Sequence, residues 1–352
     1  MTPMRRLPAL VVLAVLAAPA LLPPRAVQAG EAEGLAAYQR QDWAAAAREL
    51  RDPAEQGRPA AQARLGHLLL MGQGATRDDA AALRLLRAAA EAGDPLGQYW
   101  LGTALMIGRG VPRDPAAAVT WFDRAAAQDQ PEALHALGEV YFKGLGQPKD
   151  EAKAVGFYRR AAERNVAASQ ETLAELSWNG RAVPSDHAAA VRYAQPAARA
   201  GRPGAQFILG VALATGDGIA RNPAEALQWF RRAADQGHPQ SSHNLGAMLV
   251  SGTGTAASLP EGYFWLALGA ERAPPSLKAL YERERDQIGA RLSPEQLAQA
   301  RARLAAWRPA QAGGPVATAV VPPPGAAPAE AGRGRGQAGS GFFVTRDGTV
   351  LT

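Results

Sequence analysis

The chain has 352 residues, 47% of them hydrophobic and 20% charged, which is the profile of a globular protein and not of a collagen-like or wholly disordered one. It contains no cysteine, which excludes disulfides, thiolate metal sites, a thiol nucleophile and a lipid-anchored cysteine. The net charge of +6 is partly a property of the first 29 residues. They hold Arg5, Arg6 and Arg25 and no acid, and without them the balance is 35 basic to 32 acidic residues. That is a mixed solvated surface, so no nucleic-acid partner is expected.

The amino terminus places Arg5 and Arg6 before an apolar run from Leu7 to Leu22 and ends it in Val27-Gln28-Ala29. A basic start, an apolar middle and small residues at the last and third-last positions make residues 1–29 a secretory signal peptide. A membrane span needs about 20 apolar residues, and this run is shorter and carries Pro8 and Pro19. Cleavage after Ala29 is expected, leaving a periplasmic or secreted protein without a membrane span.

Residues 30–56 form an N-terminal capping pair, with helices over Glu31 to Arg40 and Asp42 to Gln56. Then a fixed period begins. Leu65-Gly66, Leu101-Gly102, Leu137-Gly138, Leu173-Ala174, Leu209-Gly210 and Leu245-Gly246 recur every 36 residues. A constant interval of this length is the mark of a stacked helical array. Each copy opens near a proline suited to a first helical turn, Pro59, Pro95, Pro131, Pro203 and Pro239, with Ala167 the exception. The first helix closes at Gly72, Gly108, Gly144, Gly180, Gly216 or Gly252, where a left-handed residue ends a helix. A second glycine follows two residues on, except at Ala182 in the fourth copy. Asp78, Asp114, Asp150, Asp186, Asn222 and Ser258 then supply N-caps for the second helix. Seven residues later stand Leu85, Trp121, Phe157, Tyr193, Trp229 and Trp265, which are expected in the core. The second helix ends near Gly93, Asp129, Asn165, Gly201 and Gly237, residues that tolerate the left-handed region. Two closing helices, Ser276 to Leu292 and Ser293 to Trp307, fill residues 274–307. The second of them opens with a capping box at Ser293 and Gln296.

The pattern resembles the Sel-1-like repeat, a relative of the tetratricopeptide repeat, over residues 57–273. It is carried by stretches such as Gly204-Ala205-Gln206-Phe207-Ile208-Leu209-Gly210, Gly216-Asp217-Gly218, Asn222-Pro223-Ala224-Glu225-Ala226, Trp229-Phe230 and Ala233-Ala234. The fourth copy departs most, at Ala174, Ala182 and Tyr193-Ala194. The resemblance implies an all-α, right-handed solenoid of antiparallel helix pairs, and a role as a scaffold or adaptor binding a protein or peptide partner. In the tetratricopeptide array the first helix lines the groove. Carried over, this points to Tyr99, His135, Glu171, Phe207 and His243, two residues before each leucine, and to Glu175, two after. An ordinary mixed surface is the alternative at these positions.

Residues 308–338 are rich in Pro, Ala and Gly and read as a disordered linker. Residues 339–352 read as a β-hairpin around Asp347-Gly348. They resemble the opening of an HtrA-type trypsin-like serine peptidase through Ser340-Gly341-Phe342, Asp347-Gly348 and Leu351-Thr352. That resemblance implies the alternative of an N-terminal piece of a secreted peptidase whose repeats recruit substrate or regulator. No catalytic set is present within the 352 residues, and no metal or cofactor is expected. The five histidines, His67, His135, His187, His238 and His243, lack ligand spacing.

Overall fold

The computed structural model describes residues 24–309, 343–344 and 350–351. Most of the expected leader, nearly all of the linker and the rest of the tail lie outside the described residues. Two compact units divide at Asp114–Pro115, inside the second repeat.

The first unit holds α1 (Pro24–Gln39), α2 (Trp43–Glu49), α3 (Arg51–Glu55), α4 (Pro59–Met71), α5 (Asp79–Glu91) and α6 (Pro95–Ile107). The N-terminal pair is less regular than its sequence predicts. The helix expected from Asp42 to Gln56 is two short ones, because Pro53 has no N–H for the Glu49 carbonyl and its ring crowds that oxygen.

The second unit holds α7 (Pro115–Ala127), α8 (Pro131–Lys143), α9 (Glu151–Glu163), α10 (Ala167–Asn179), α11 (His187–Arg199), α12 (Pro203–Thr215), α13 (Pro223–Asp235), α14 (Pro239–Ser251), α15 (Leu259–Arg272), α16 (Pro275–Gly289) and α17 (Pro294–Ala306). In it α8 packs on α9, α10 on α11, α12 on α13 and α14 on α15, and α11–α12 and α13–α14 join one repeat to the next. The two-residue strands β1 (Phe343–Val344) and β2 (Val350–Leu351) pair antiparallel, Phe343 opposite Leu351.

Local chemistry sets each boundary. All six closing glycines of the first helices are left-handed, with φ between 64° and 92°. The residues ending the second helices are too: Gly93, Asp129, Asn165, Gly201 and Gly237 all have positive φ. Asp78, Asp150, Asp186 and Asn222 accept from the backbone three residues on. Ser258 makes no such bond. The capping box at Ser293 and Gln296 is formed.

The packing partner of the repeated glycine lies one residue beyond the expected aromatic column. A Cβ on Gly66 would stand 2.8 Å from Leu86 Cγ, on Gly138 2.5 Å from Tyr158 Cδ1, on Gly210 2.7 Å from Phe230 Cε1 and on Gly246 2.8 Å from Leu266 Cγ. These side chains are almost fully buried. Trp121, Phe157, Tyr193 and Trp229, expected in the core, are only half-buried. Arg124 covers Trp121 and Arg232 covers Trp229, both at 4.5 Å. Only Leu85 and Trp265 of that column are buried. One step along a helix turns a side chain by about 100°, enough to move the column from the core to its edge. The fourth repeat solves the same contact by exchange: Ala174 takes the glycine position and Ala194 the large one, and both are fully buried.

A polar column also recurs. Gln62, Gln98, Gln170 and Gln206 are buried and donate to Ala54 O, Ala90 O, Ala162 O and Ala198 O, at 3.1 to 3.3 Å. Each adds a second donor to a carbonyl in the last turn of the preceding helix, which already accepts from the backbone N–H of Gly57, Gly93, Asn165 or Gly201. In the third repeat Leu134 replaces glutamine, and Arg160 donates to the corresponding Ala126 O at 3.0 Å.

Candidate functional site

The residues two before each leucine lie on the first helices, but they serve the junctions between repeats. His135 Nδ1 is 2.8 Å from Ser169 Oγ of the next repeat, and burial lowers its pKa, partly opposed by Glu139. Glu171, buried, reaches the start of α12. Its Oε1 accepts from Gly204 N at 2.8 Å and Ala205 N at 3.2 Å, and its Oε2 from Arg202 Nε at 2.8 Å. The carboxylate therefore caps a helix of the following repeat and meets that helix's positive end. The Phe207 ring lies 5.1 Å from His238, itself the N-cap of α14. His243 is fully buried, stacks on Tyr281 at 3.9 Å and places Nε2 2.6 Å from Glu284 Oε2. A column that varies in the sequence is thus a set of different solutions to one stacking problem. In the first unit, Tyr99 is half-buried with its ring 5.0 Å from Trp100.

Three of the six expected residues do converge. Glu171, Glu175 and Phe207 line a cavity of about 490 Å³ spanning α10, α12 and the start of α14. Its apolar walls are Trp178, Phe207, Ile208, Pro239 and Pro274, and Asn179, Gln240 and Arg272 add polar groups. Gly204 keeps it open. A Cβ there would lie 2.7 Å from Glu171 Oε1 and 3.0 Å from Glu175 Oε1. The equivalent residues of the other repeats are Ala60, Leu96, Glu132, Ala168 and Gln240. That single glycine was the sequence signal for a site here. Tyr99, His135 and His243 do not line it.

The first unit carries an aromatic cluster instead. Tyr38 Oη lies 2.6 Å from His67 Nδ1, and the His67 ring stacks on Trp100 at 4.2 Å. Burial pushes the His67 imidazole down to about 4. Among the described residues no group of three or more His, Asp or Glu is placed to hold a metal ion, and no helix is long and apolar enough to cross a membrane.

The Sel1 repeat family model matches residues 59–94, 95–130, 131–166, 167–201, 203–238 and 239–273. Among solved structures, the chain is similar to c5321, a protective antigen of uropathogenic Escherichia coli strains displaying an SLR fold. Identity is 29% and the TM-score 0.63, over 80% of this chain and 61% of that one. The chain thus spans about three fifths of that antigen's length. It is also similar to a Sel1 repeat protein from Oxalobacter formigenes, at 27% identity and a TM-score of 0.57, over 68% of this chain and 96% of the other. No curated protein matches. Matched over more than half of its residues, with helix pairs recurring at the family's interval, the chain belongs to the Sel1 repeat family.

Proposed function

We propose that this protein is an exported scaffold whose array docks a protein or peptide partner on the first-helix face of repeats four to six. Sel1 repeats mediate protein–protein interaction. The observation that carries the placement is the cavity bridging three consecutive first helices, open because Gly204 lacks a side chain. Its mix of apolar walls and a few convergent polar groups is what a binding site requires. Export rests on the basic start, apolar run and Ala-x-Ala-like end of residues 1–29.

A photo-crosslinking residue placed at Ile208 in the cavity, or at the exposed Arg159 on α9, tests the placement in cells of the source organism. Adducts at Ile208 and none at Arg159 are expected. The reverse pattern moves the docking surface to the second helices.

The peptidase reading of residues 339–352 draws its support from the pairing of β1 with β2 on either side of Asp347-Gly348. Its test is the coding sequence after Thr352: Asn-Ala-His followed by Gly-Asp/Asn-Ser-Gly-Gly supports a serine peptidase domain, and any other continuation removes it.

A further inference from the structure

Two groups in the cavity on repeats four to six offer polar edges that no other described residue fills. Gln240 is 6% exposed and lines the cavity, yet its amide makes no hydrogen bond among the described residues. Its amide atoms are not shut off from solvent in the cavity, so the two donors and one acceptor they carry are open to a ligand. Arg272 lines the same cavity and stacks its guanidinium on Trp307 at 4.4 Å, and it forms no ion pair among the described residues. Stacking occupies the face of a guanidinium and leaves its N–H edges for a carboxylate. The acidic side is different. Glu171 is already held by Arg202 and two backbone N–H groups.

We infer that the cavity recognises an extended partner segment bearing an acidic side chain next to a bulky apolar one. This rests on the docking reading above. The apolar side chain enters between Trp178, Phe207 and Ile208. Gln240 pairs through its amide with a peptide unit of the segment, the way an extended chain is held by polar groups flanking its side-chain pockets. The carboxylate meets Arg272, as a charge-assisted hydrogen bond. Direction follows from the charge of Arg272, at the end of α15, which draws the carboxylate to that side of the cavity.

Random peptides with amidated C-termini, selected against the full chain and measured by fluorescence anisotropy, test this. The expected consensus pairs an aspartate or glutamate with a large apolar residue. Replacing that acid by its amide, or making Arg272→Gln, weakens binding by about tenfold, as for the loss of one charge-assisted bond. Gln240→Leu weakens it similarly. Arg272 is exposed, so its variant keeps the fold, and that variant decides if Gln240→Leu does not fold. A consensus without an acid, or affinity unchanged in Arg272→Gln, overturns the inference. The two readings separate at Ile208→Glu, with circular dichroism to check its fold because Ile208 is only 4% exposed, and with Asn179→Trp, at an exposed residue of the same cavity, as the variant that decides if it does not fold. Peptides that lose affinity there but ignore Arg272→Gln leave the docking face standing and remove only the acidic preference. Peptides indifferent to Ile208→Glu remove both.

Discussion

Replacing Gly210 by alanine should reverse its effect on stability according to what stands at position 230. In the native chain the new Cβ lies 2.7 Å from Phe230 Cε1 and 2.8 Å from Cδ1, and that ring is fully buried and cannot swing into solvent. Overpacking of this kind costs about 1–3 kcal/mol. Alanine is also the better helix former, by about 1 kcal/mol, so the net expectation is a loss of up to about 2 kcal/mol. Phe230→Ala alone opens a cavity and costs about 3–5 kcal/mol. With that cavity present, Gly210→Ala meets no ring and should stabilise by the propensity gain alone. The fourth repeat already has this combination, Ala174 with Ala194. The coupling in a double-mutant cycle should be about 1–3 kcal/mol, favouring the double variant. Repeat arrays can unfold in parts, so urea midpoints need amide exchange of α12 and α13 beside them. Additivity within about 0.5 kcal/mol would refute the claim that glycine is kept for this ring.

Three other substitutions follow from the same geometry. Ala182 is held at φ 59° where the other repeats have glycine, so Ala182→Gly should raise the urea midpoint, by about 0.5–1 kcal/mol; a lowered midpoint contradicts the strain. Gln170→Leu removes the side-chain donor on Ala162 O, which keeps the Asn165 N–H, and Pro196 stands where Arg160 supplies the side-chain donor in the third repeat. A loss of about 0.5–1.5 kcal/mol is expected, seen as faster exchange in α10 and α11, whereas unchanged exchange means the backbone donor alone suffices for that carbonyl. His67 is neutral in the fold because burial holds its pKa near 4, against 6.5 when exposed. The unfolded chain gains its proton first as pH falls, so stability is full above 6.5 and is lost down to pH 4, by at most about 3 kcal/mol. His67→Phe should flatten that slope, and an unaltered slope assigns the acid sensitivity elsewhere.

The array was legible because its punctuation is local. A left-handed glycine, a side-chain cap or a first-turn proline acts within a few residues, so Gly144, Asp150 and Pro131 announce their roles in the sequence alone. What depends on how one helix turns and stacks against another did not show. The aromatic column drew attention through size, yet the contact with Gly138 belongs to Tyr158, one position on, because rotation about the helix axis decides which side chain faces the partner. The glutamine column was equally hidden. Gln62 and Gln98 look like surface residues until the last turn of the preceding helix, with Ala54 or Ala90, is stacked against them. The candidate groove was half legible: Glu171, Glu175 and Phe207 line the cavity, but Gln240 and Arg272 come from the two helices of the sixth repeat, and only stacking brings them in.

A difference follows between two kinds of variable position in such an array. Repeated core residues are constrained by a contact that every repeat makes, so they recur. The column of His135, Glu171, Phe207 and His243 varies, although each member has a definite structural partner: a hydroxyl, a helix start, an imidazole, a carboxylate. Variation there reflects the freedom to choose a junction, since any pair that satisfies its own polar groups will serve. Gly204 varies for another reason. Its missing Cβ lets the Glu171 carboxylate close on the start of α12 and also leaves space beside Glu175. Space beside polar edges that no neighbouring side chain fills is explained by what enters it, beyond what the fold requires. Within the second unit Gly204 opens such a space and Gln240 and Arg272 line it, while His135 and His243, the more conspicuous residues by chemistry, do not.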